Sequence, residues 1–391
     1  MTGGERVSIV YVLPRYDPDS GSHFFYLGEL LAAAGRHLDI FIIIESVLRP
    51  PQNLPGRVYC QRFSWTPLRF MEIMAVMVRE RLRGRTYFYT HYSLFGGLAS
   101  SVVTRLFGGT AYYWNCGLPW LYRRGRLYEA AFRLVMRHTV LVTGTPRLGR
   151  QYRERYGLKP ECVRILPNWI SLARFRNVSD RPGLRAGLGV RADAGVVLFV
   201  HRLSRRKGIH LLPEIIARVT RGNKHVIFAI VGAGPEQESL EREVRNRGLA
   251  DKVKIVGEVP QREISRYFRA ADVFLMPSEE EGFPHVLLEA MAAGLPYVAS
   301  DVGGVREITP PALAEYIVPV GNISELSAKI LRLLAQPPHE RAAMARAEQT
   351  WIARYDLSAV LPEFLKLFPP VLPKSTAAHP GPGIARPNSH G

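Results

Sequence analysis

The chain has 391 residues, room for two or three domains with sizeable cores, and its 47% hydrophobic and 22% charged content excludes a wholly disordered chain, a collagen-like repeat and a disulfide scaffold. Cys60, Cys116 and Cys162 are too few and too scattered for a staple framework or a zinc site, which predicts a reducing, intracellular compartment. The net charge of +18 lies almost wholly in the first half, +14 over residues 1–177 against +4 over 178–391, so an anionic partner is expected there, with nucleic acid and an anionic membrane surface as the generic candidates.

No stretch reaches the ~18 apolar residues that span a bilayer. The opening MTGGERVSIVYV has neither a secretory apolar region nor a cleavage site, so export by the usual route is not expected.

In chain order, VSIVYVLP predicts a strand, Asp17–Ser22 a loop, and HFFYLGELLAAAG a helix ending at Gly35. LDIFIII, YFYTH, TAYYWN, VLVTGT and ECVRILPN read as further strands, with helices at SLFGGLASSVVTRLF and around Leu127–Met136. Buried strands alternating with helices predict a parallel sheet covered on both faces. Residues 176–195 are rich in glycine and proline without apolar periodicity and read as a linker.

The alternation restarts at GVVLFV and runs through HVIFAIVG, KVKIVG, VFLMP and LPYVAS to YIVP, with helices at Leu211–Thr220, Glu236–Arg247, Arg262–Ala270 and His285–Ala293. The expected architecture is α/β: an N-terminal domain over 1–175, a linker over 176–195 and a C-terminal domain over 196–350. Each is Rossmann-like and doubly wound, and they face a central cleft with ligand outside the strands' carboxyl ends. Residues 351–368 are expected to be helical around Pro362, and the Pro/Gly/Ser-rich tail 369–391 disordered.

Three windows carry candidate chemistry. In PSEEEGFPHVLLEAMAAG a strand ends in a glutamate-rich loop, and Gly282-Phe283-Pro284 opens a helix. Glu281 lies at the turn and Glu289 two helical turns on. The helix start offers unpaired N–H groups to a phosphate, and the two carboxylates can accept hydrogen bonds from vicinal hydroxyls of a sugar or ribose. The plainer alternative is an acidic solvated loop and a surface glutamate. In VLFVHRLSRRKGIH a strand runs into Arg202, Arg205, Arg206 and Lys207 beside Gly208, a set of cations for a diphosphate or simply a solvated basic loop. In IVGAGPEQ a strand runs into Gly232-Ala-Gly234, where a tight turn admits a nucleotide.

Taken in order, these windows resemble the GT-B glycosyltransferases of family 4, a retaining group, over about residues 7–368. Glu281 to Glu289 resembles the family's E-x7-E motif, Arg202 and Lys207-Gly208 its donor-phosphate cations, and Val231-Gly232-Ala-Gly234-Pro235 its VGxGP turn. Ser300-Asp301-Val-Gly303-Gly304-Val-Arg-Glu307 resembles its DxGGxxE segment, and Leu166-Pro167-Asn168 its PNG segment. The resemblance implies a nucleoside-diphosphate sugar donor, with Arg202 and Lys207 on the diphosphate, Glu281 on the sugar, Glu289 on the ribose, and Gly282 and Phe283 N–H groups on the phosphate. It also implies a final helix crossing back to the N-terminal domain, and no metal or other cofactor. In the N-terminal half, Ser20-Gly21-Ser22 stands where the family often has Gly-Gly, so Gly21 is the candidate donor contact. Trp114-Asn115-Cys116-Gly117 replaces a frequent His-Gly. His91 is the candidate catalytic histidine, or a hydrogen-bonded histidine at a strand end.

The implied reaction moves a hexose to an acceptor hydroxyl with retention, in synthesis of a cell-surface glycan, lipopolysaccharide or glycolipid. Phe63–Arg85 and Pro119–Arg137 mix aromatic and apolar residues with arginines, the pattern of a helix lying on an acidic membrane or of a core-facing helix with a basic edge. A glycan or lipid-linked acceptor and a cytoplasmic chain, peripheral on the inner face of the cell membrane, are the matching expectations. The rivals are a GT-B epimerase, phosphorylase or binding subunit, and a basic nucleic-acid-binding protein. For the last of these the chain carries no groove-reading signature.

Overall fold

The computed structural model describes residues 6–16, 23–47, 49, 51, 52, 54–176 and 180–370. The first half winds as β1 (Ser8–Leu13), α1 (His23–Ala34), β2 (Asp39–Ile44), β3 (Arg57–Cys60), α2 (Thr66–Leu82), β4 (Tyr87–His91), α3 (Leu94–Phe107), β5 (Thr110–Trp114), α4 (Arg126–His138), β6 (Val140–Thr143), α5 (Pro146–Tyr156) and β7 (Val163–Ile165). Two short helices follow, α6 (Ala173–Arg176) and α7 (Arg181–Gly187). The second half winds as β8 (Gly195–Val200), α8 (Leu212–Gly222), β9 (Val226–Val231), α9 (Gln237–Asn246), β10 (Val253–Gly257), α10 (Ile264–Ala270), β11 (Val273–Met276), α11 (His285–Ala293), β12 (Tyr297–Ser300), α12 (Val305–Ile308), β13 (Ile317–Val318), α13 (Ile323–Ala335), α14 (Pro338–Ile352) and α15 (Leu357–Leu365).

The strands form two sheets, ordered β3-β2-β1-β4-β5-β6-β7 and β10-β9-β8-β11-β12-β13, with parallel pairing. Strand order reverses between β1 and β4 and between β8 and β11, so each sheet has a crevice at that point. Alternation along the strands divides the N-terminal core. Val10, Val12, Phe41 and Ile43 face Ile73 and Met77 of α2, while Ile9, Tyr11, Ile40 and Ile42 join the larger core on the other face. These strands read as continuous apolar runs because both faces are covered.

Two expected segments differ in detail. Within 176–195, residues 181–187 are helical. Asp180 Oδ1 caps α7 by accepting from Gly183 N at 2.9 Å, and Arg185 is buried against Asp272 at 3.1 Å, so this stretch packs on the C-terminal sheet. The 351–368 stretch is not one helix. It breaks at Asp356, where Ile170 N donates to Tyr355 O (2.9 Å) and Leu357 N to Ile170 O (2.8 Å), and Pro362 lies inside α15. These bonds bring α15 onto the N-terminal sheet, where Phe364 meets Tyr89 edge-on at 5.4 Å. Tyr87 donates to Pro369 O at 2.6 Å, and the tail from residue 371 lies outside the described residues. The edge strand β3 and helices α5, α13 and α14 have no counterpart among the sequence-predicted elements.

Candidate active site

The loops after β8 and β11 meet at the C-terminal sheet's switch point. Their approach depends on Gly208, whose φ of +73° and lack of a side chain let it lie against Pro277; a Cβ there would stand 2.1 Å from Pro277 O. Glu279 N then donates to Arg206 O at 2.9 Å, which fastens the two loops together. Three groups converge on one oxygen, Glu281 Oε1: Lys207 Nζ at 2.5 Å, Ser278 Oγ at 2.9 Å and His201 Nε2 at 3.1 Å. Burial alone would push the Glu281 carboxyl up, but Lys207 and His201 outweigh it and hold the group well below the usual carboxylate range.

Two cavities lie beside this cluster. The larger, about 520 Å³, opens at the carboxyl ends of β8 and β9 and is lined by His201, Arg202, Gly232, Gly234, His285 and Glu289. The smaller, about 370 Å³, lies between the N-terminal sheet's carboxyl edge and the 280–283 loop, with Tyr92, Arg124, Lys207, Glu281, Gly282 and Phe283 among its walls. The expected site residues are therefore shared between two cavities, with the His201–Glu281–Lys207 contacts as the partition. Arg202 is exposed on the rim of the larger one. Gly232, at φ +128°, packs where a Cβ would stand 2.0 Å from His201 O.

Glu289 is buried on α11 and accepts from Tyr26 of α1 and from Gln261 Nε2, while Gln261 Nε2 also reaches Tyr26 Oη at 2.8 Å. Burial raises the Glu289 pKa, and these two donors oppose that rise. The Tyr26 ring stacks on His285, centroids 4.6 Å apart, and burial pushes the His285 imidazole down to about 3.

Gly282 and Phe283 precede the helix. Helix α11 begins at His285 after Pro284, and it is His285 and Val286 that line the larger cavity. Gly282 rests on the N-terminal domain so closely that a Cβ would stand 1.4 Å from Cys116 O. The Phe283 ring lies over Gly144, and Asn168 Nδ2 donates to Phe283 O at 3.1 Å. The Ser300–Glu307 segment is also tied across the cleft, with Arg147 N donating to Glu307 at 2.9 Å.

His91 is fully buried at the end of β4, stacked on Trp114 with centroids 4.0 Å apart and with Nδ1 3.2 Å from Tyr11 Oη. It lines neither cavity. Burial, and then the neighbouring His285, keep it well below the ordinary histidine range. The next residue, Tyr92, does face the smaller cavity and is the one non-glycine at positive φ (57°) among the described residues. Gly21 lies outside the described residues. Sequence reasoning missed several of these residues. His201 and His285 stood inside the quoted windows, whereas Tyr26 and Gln261 carry no local signal because they meet only through folding.

With two Rossmann-like sheets facing one cleft, the chain has the GT-B fold. Solved structures agree in shape. The structure of Anabaena Alr3699/HepE in complex with UDP and glucose gives a TM-score of 0.77 at 19% identity over 93% of this chain and 99% of that one. Sucrose-phosphate synthase from Thermosynechococcus elongatus gives 0.77 at 22% over 93% and 98%. Residues 180–351 match the family model described as Glycosyl transferases group 1. D-inositol 3-phosphate glycosyltransferase of Geodermatophilus obscurus is 35% identical over 205 residues, 50% of this chain and 45% of that protein. The chain spans about half the length of the curated relatives it matches.

Proposed function

We propose that this protein is a retaining glycosyltransferase that moves a hexose from a nucleoside diphosphate to an acceptor hydroxyl. The observation that carries the reading is Glu281, held ionised by Lys207 and His201 at the boundary between two cavities. The larger cavity takes the nucleotide. Arg202 and the start of α11 face its diphosphate, Lys207 approaches that diphosphate from the partition, and Glu289 exchanges Tyr26 for the ribose hydroxyls. The smaller takes the acceptor, and Glu281 orients the sugar between them. The family match over 180–351 and the UDP named with a neighbour of the same fold support a nucleotide-sugar donor.

In the reaction, the bond from the anomeric carbon to the diphosphate oxygen breaks and one to the acceptor oxygen forms on the same face. The acceptor's proton passes to the departing phosphate, so no covalent enzyme intermediate is required. Lys207 and Arg202 stabilise the charge that develops there and supply the cations that a metal would otherwise bring; each preorganised group of this kind contributes about 2.7–4 kcal/mol to the transition state. His91, neutral and stacked under Trp114, acts as a positioning residue beneath Tyr92.

The acceptor is a glycan or a lipid-linked carbohydrate, and the chain works in the cytoplasm at the membrane's inner face. Among the described residues no helix is long and apolar enough to cross a membrane. The support for surface binding is Leu127, 88% exposed, and Leu121, 55% exposed, with the exposed Arg123 and Arg126 between them in sequence at the start of α4.

The test is a thermal-shift panel of UDP, GDP, ADP and dTDP and their sugar conjugates on wild type and Lys207→Ala, followed by product analysis. One nucleotide stabilising wild type by about 5–11 °C at 100 times its Kd, and a new glycoside among the products, is the expected result. An epimerised sugar, a sugar phosphate or nucleic-acid binding without transfer would overturn the reading.

A further inference from the structure

Arg124 stands just before α4 on the wall of the smaller cavity. Its guanidinium lies over two rings, 4.8 Å from the Tyr128 centroid and 4.9 Å from that of Phe132, which holds its plane in place. Nη1 is closed off from solvent and meets no hydrogen-bond acceptor among the described residues. The other charges on this wall are matched. Lys207 is paired with Glu281, and Arg206 donates to Tyr122 Oη at 2.8 Å and lies 3.7 Å from Glu280. Arg124 is thus the cation whose charge the wall leaves uncancelled. The side chain is half-buried on the cavity wall, so an anion in the cavity meets the open part of the guanidinium and cancels the charge that the wall leaves over.

We propose that Arg124 recognises a phosphate on the glycosyl acceptor, so that the smaller cavity selects a phosphorylated carbohydrate, polyol or lipid head group. The claim rests on reading this cavity as the acceptor side. A guanidinium offers parallel donors that match two phosphate oxygens, which an ammonium does not. Beside it, the exposed ring of Tyr92 gives a sugar ring an apolar face to lie on, and Glu280 can accept from its hydroxyls. Tyr92 is aimed at the cavity by its left-handed backbone, with its ring edge-on to Trp114 at 4.8 Å.

The experiment compares wild type, Arg124→Gln, Arg124→Lys and Arg202→Gln. Calorimetry measures binding of glucose 6-phosphate against glucose. Co-sedimentation measures binding to phosphatidylglycerol–phosphatidylcholine vesicles against phosphatidylcholine alone. Wild type is expected to prefer at least one phosphate probe over its neutral counterpart by about tenfold or more. Arg124→Gln should lose that preference, Arg124→Lys should weaken it severalfold, and Arg202→Gln should keep it. A preference in the soluble arm assigns a free phosphate ester, and one in the vesicle arm alone assigns a lipid head group. No preference in either arm, or one that survives in Arg124→Gln, overturns the proposal; so does one lost in Arg202→Gln, because the phosphate is then in the larger cavity. Should Arg124→Gln melt below the assay temperature, Arg124→Lys decides, and unchanged affinity in it overturns the assignment. UDP binding on the same samples reports on the larger cavity separately, so failure of the transferase reading would be visible apart from this result.

Discussion

Lys207 Nζ lies 2.5 Å from Glu281 Oε1, and both side chains are largely buried at the meeting of the loops after β8 and β11. A pair of this kind serves two ends at once. It presets an ionised carboxylate and a cation side by side, and it makes each hold the other in a place where neither would be stable alone.

Lys207→Ala is expected to lower turnover by about 10²–10³-fold, the usual loss on removing one preorganised charge. Because the pair is buried, some stability goes as well, so turnover is compared at a temperature where the variant is folded by circular dichroism. Lys207→Arg should recover the melting temperature but not the rate. Equal recovery of both would show that the lysine is structural.

Glu281 predicts a particular acid sensitivity. Its folded-state pKa is depressed from the ordinary 4.5, so its stabilising contribution is fully present above that value and is lost as pH falls below it. Melting temperatures between pH 2.5 and 6 should fall more steeply for wild type than for Glu281→Gln. Parallel curves would contradict the assignment.

Glu348 on α14 behaves in the opposite sense. It is fully buried, neither carboxylate oxygen has a hydrogen-bond partner among the described residues, and burial raises its pKa well above 4.5. The folded chain therefore keeps a proton that the unfolded chain releases, and stability falls as pH rises from about 4.5 toward the folded value. Glu348→Met should remove this slope and raise the melting temperature at pH 8 by on the order of 5 °C. No gain in thermal denaturation at that pH would show that the carboxyl is satisfied.

Gly282 meets Cys116 O too closely for any side chain, so Gly282→Ala should prevent the loop from seating on the N-terminal domain. Small-angle scattering is expected to show a larger radius of gyration and assays a loss of transfer, with the helical circular dichroism signal unchanged. A variant as compact and active as wild type would show that the contact is not needed.

Tyr26 donates to Glu289 across the cleft. If ribose replaces it there, Tyr26→Phe should cost about 0.5–1.5 kcal/mol of stability without nucleotide yet lower the donor KM, while Glu289→Ala should raise that KM. Chemical denaturation and steady-state kinetics read the two effects separately. A raised KM in Tyr26→Phe would mean that the hydroxyl contacts the donor itself.

Much of the architecture was legible in the amino-acid sequence because its causes are local. An apolar run such as Gly195–Val200 or Asp39–Ile44 can be buried on both faces only as a central parallel strand, and Gly208, Gly232 and Gly294 mark left-handed turns where the chain must reverse tightly. The spacing of Glu281 and Glu289 placed one at the loop and the other on the helix. The short edge strand β3 and the break at Asp356 were not legible, since each depends on partners far away: Phe41–Ile44 for one and Ile170 for the other.

The division of labour within the site is a tertiary matter. Local sequence brings Arg202, Lys207 and Glu281 to strand ends, but only the docking of two domains decides that Lys207 and Glu281 face one cavity and Arg202 and Glu289 another. It likewise decides that Tyr26 and Gln261, 235 residues apart, share a hydrogen bond beside Glu289, and that His91 is walled in beneath Trp114. The physical reason is that strand and helix formation depend on periodicities within a few residues. A buried charge or hydroxyl instead takes its partner from whichever distant segment closes over it.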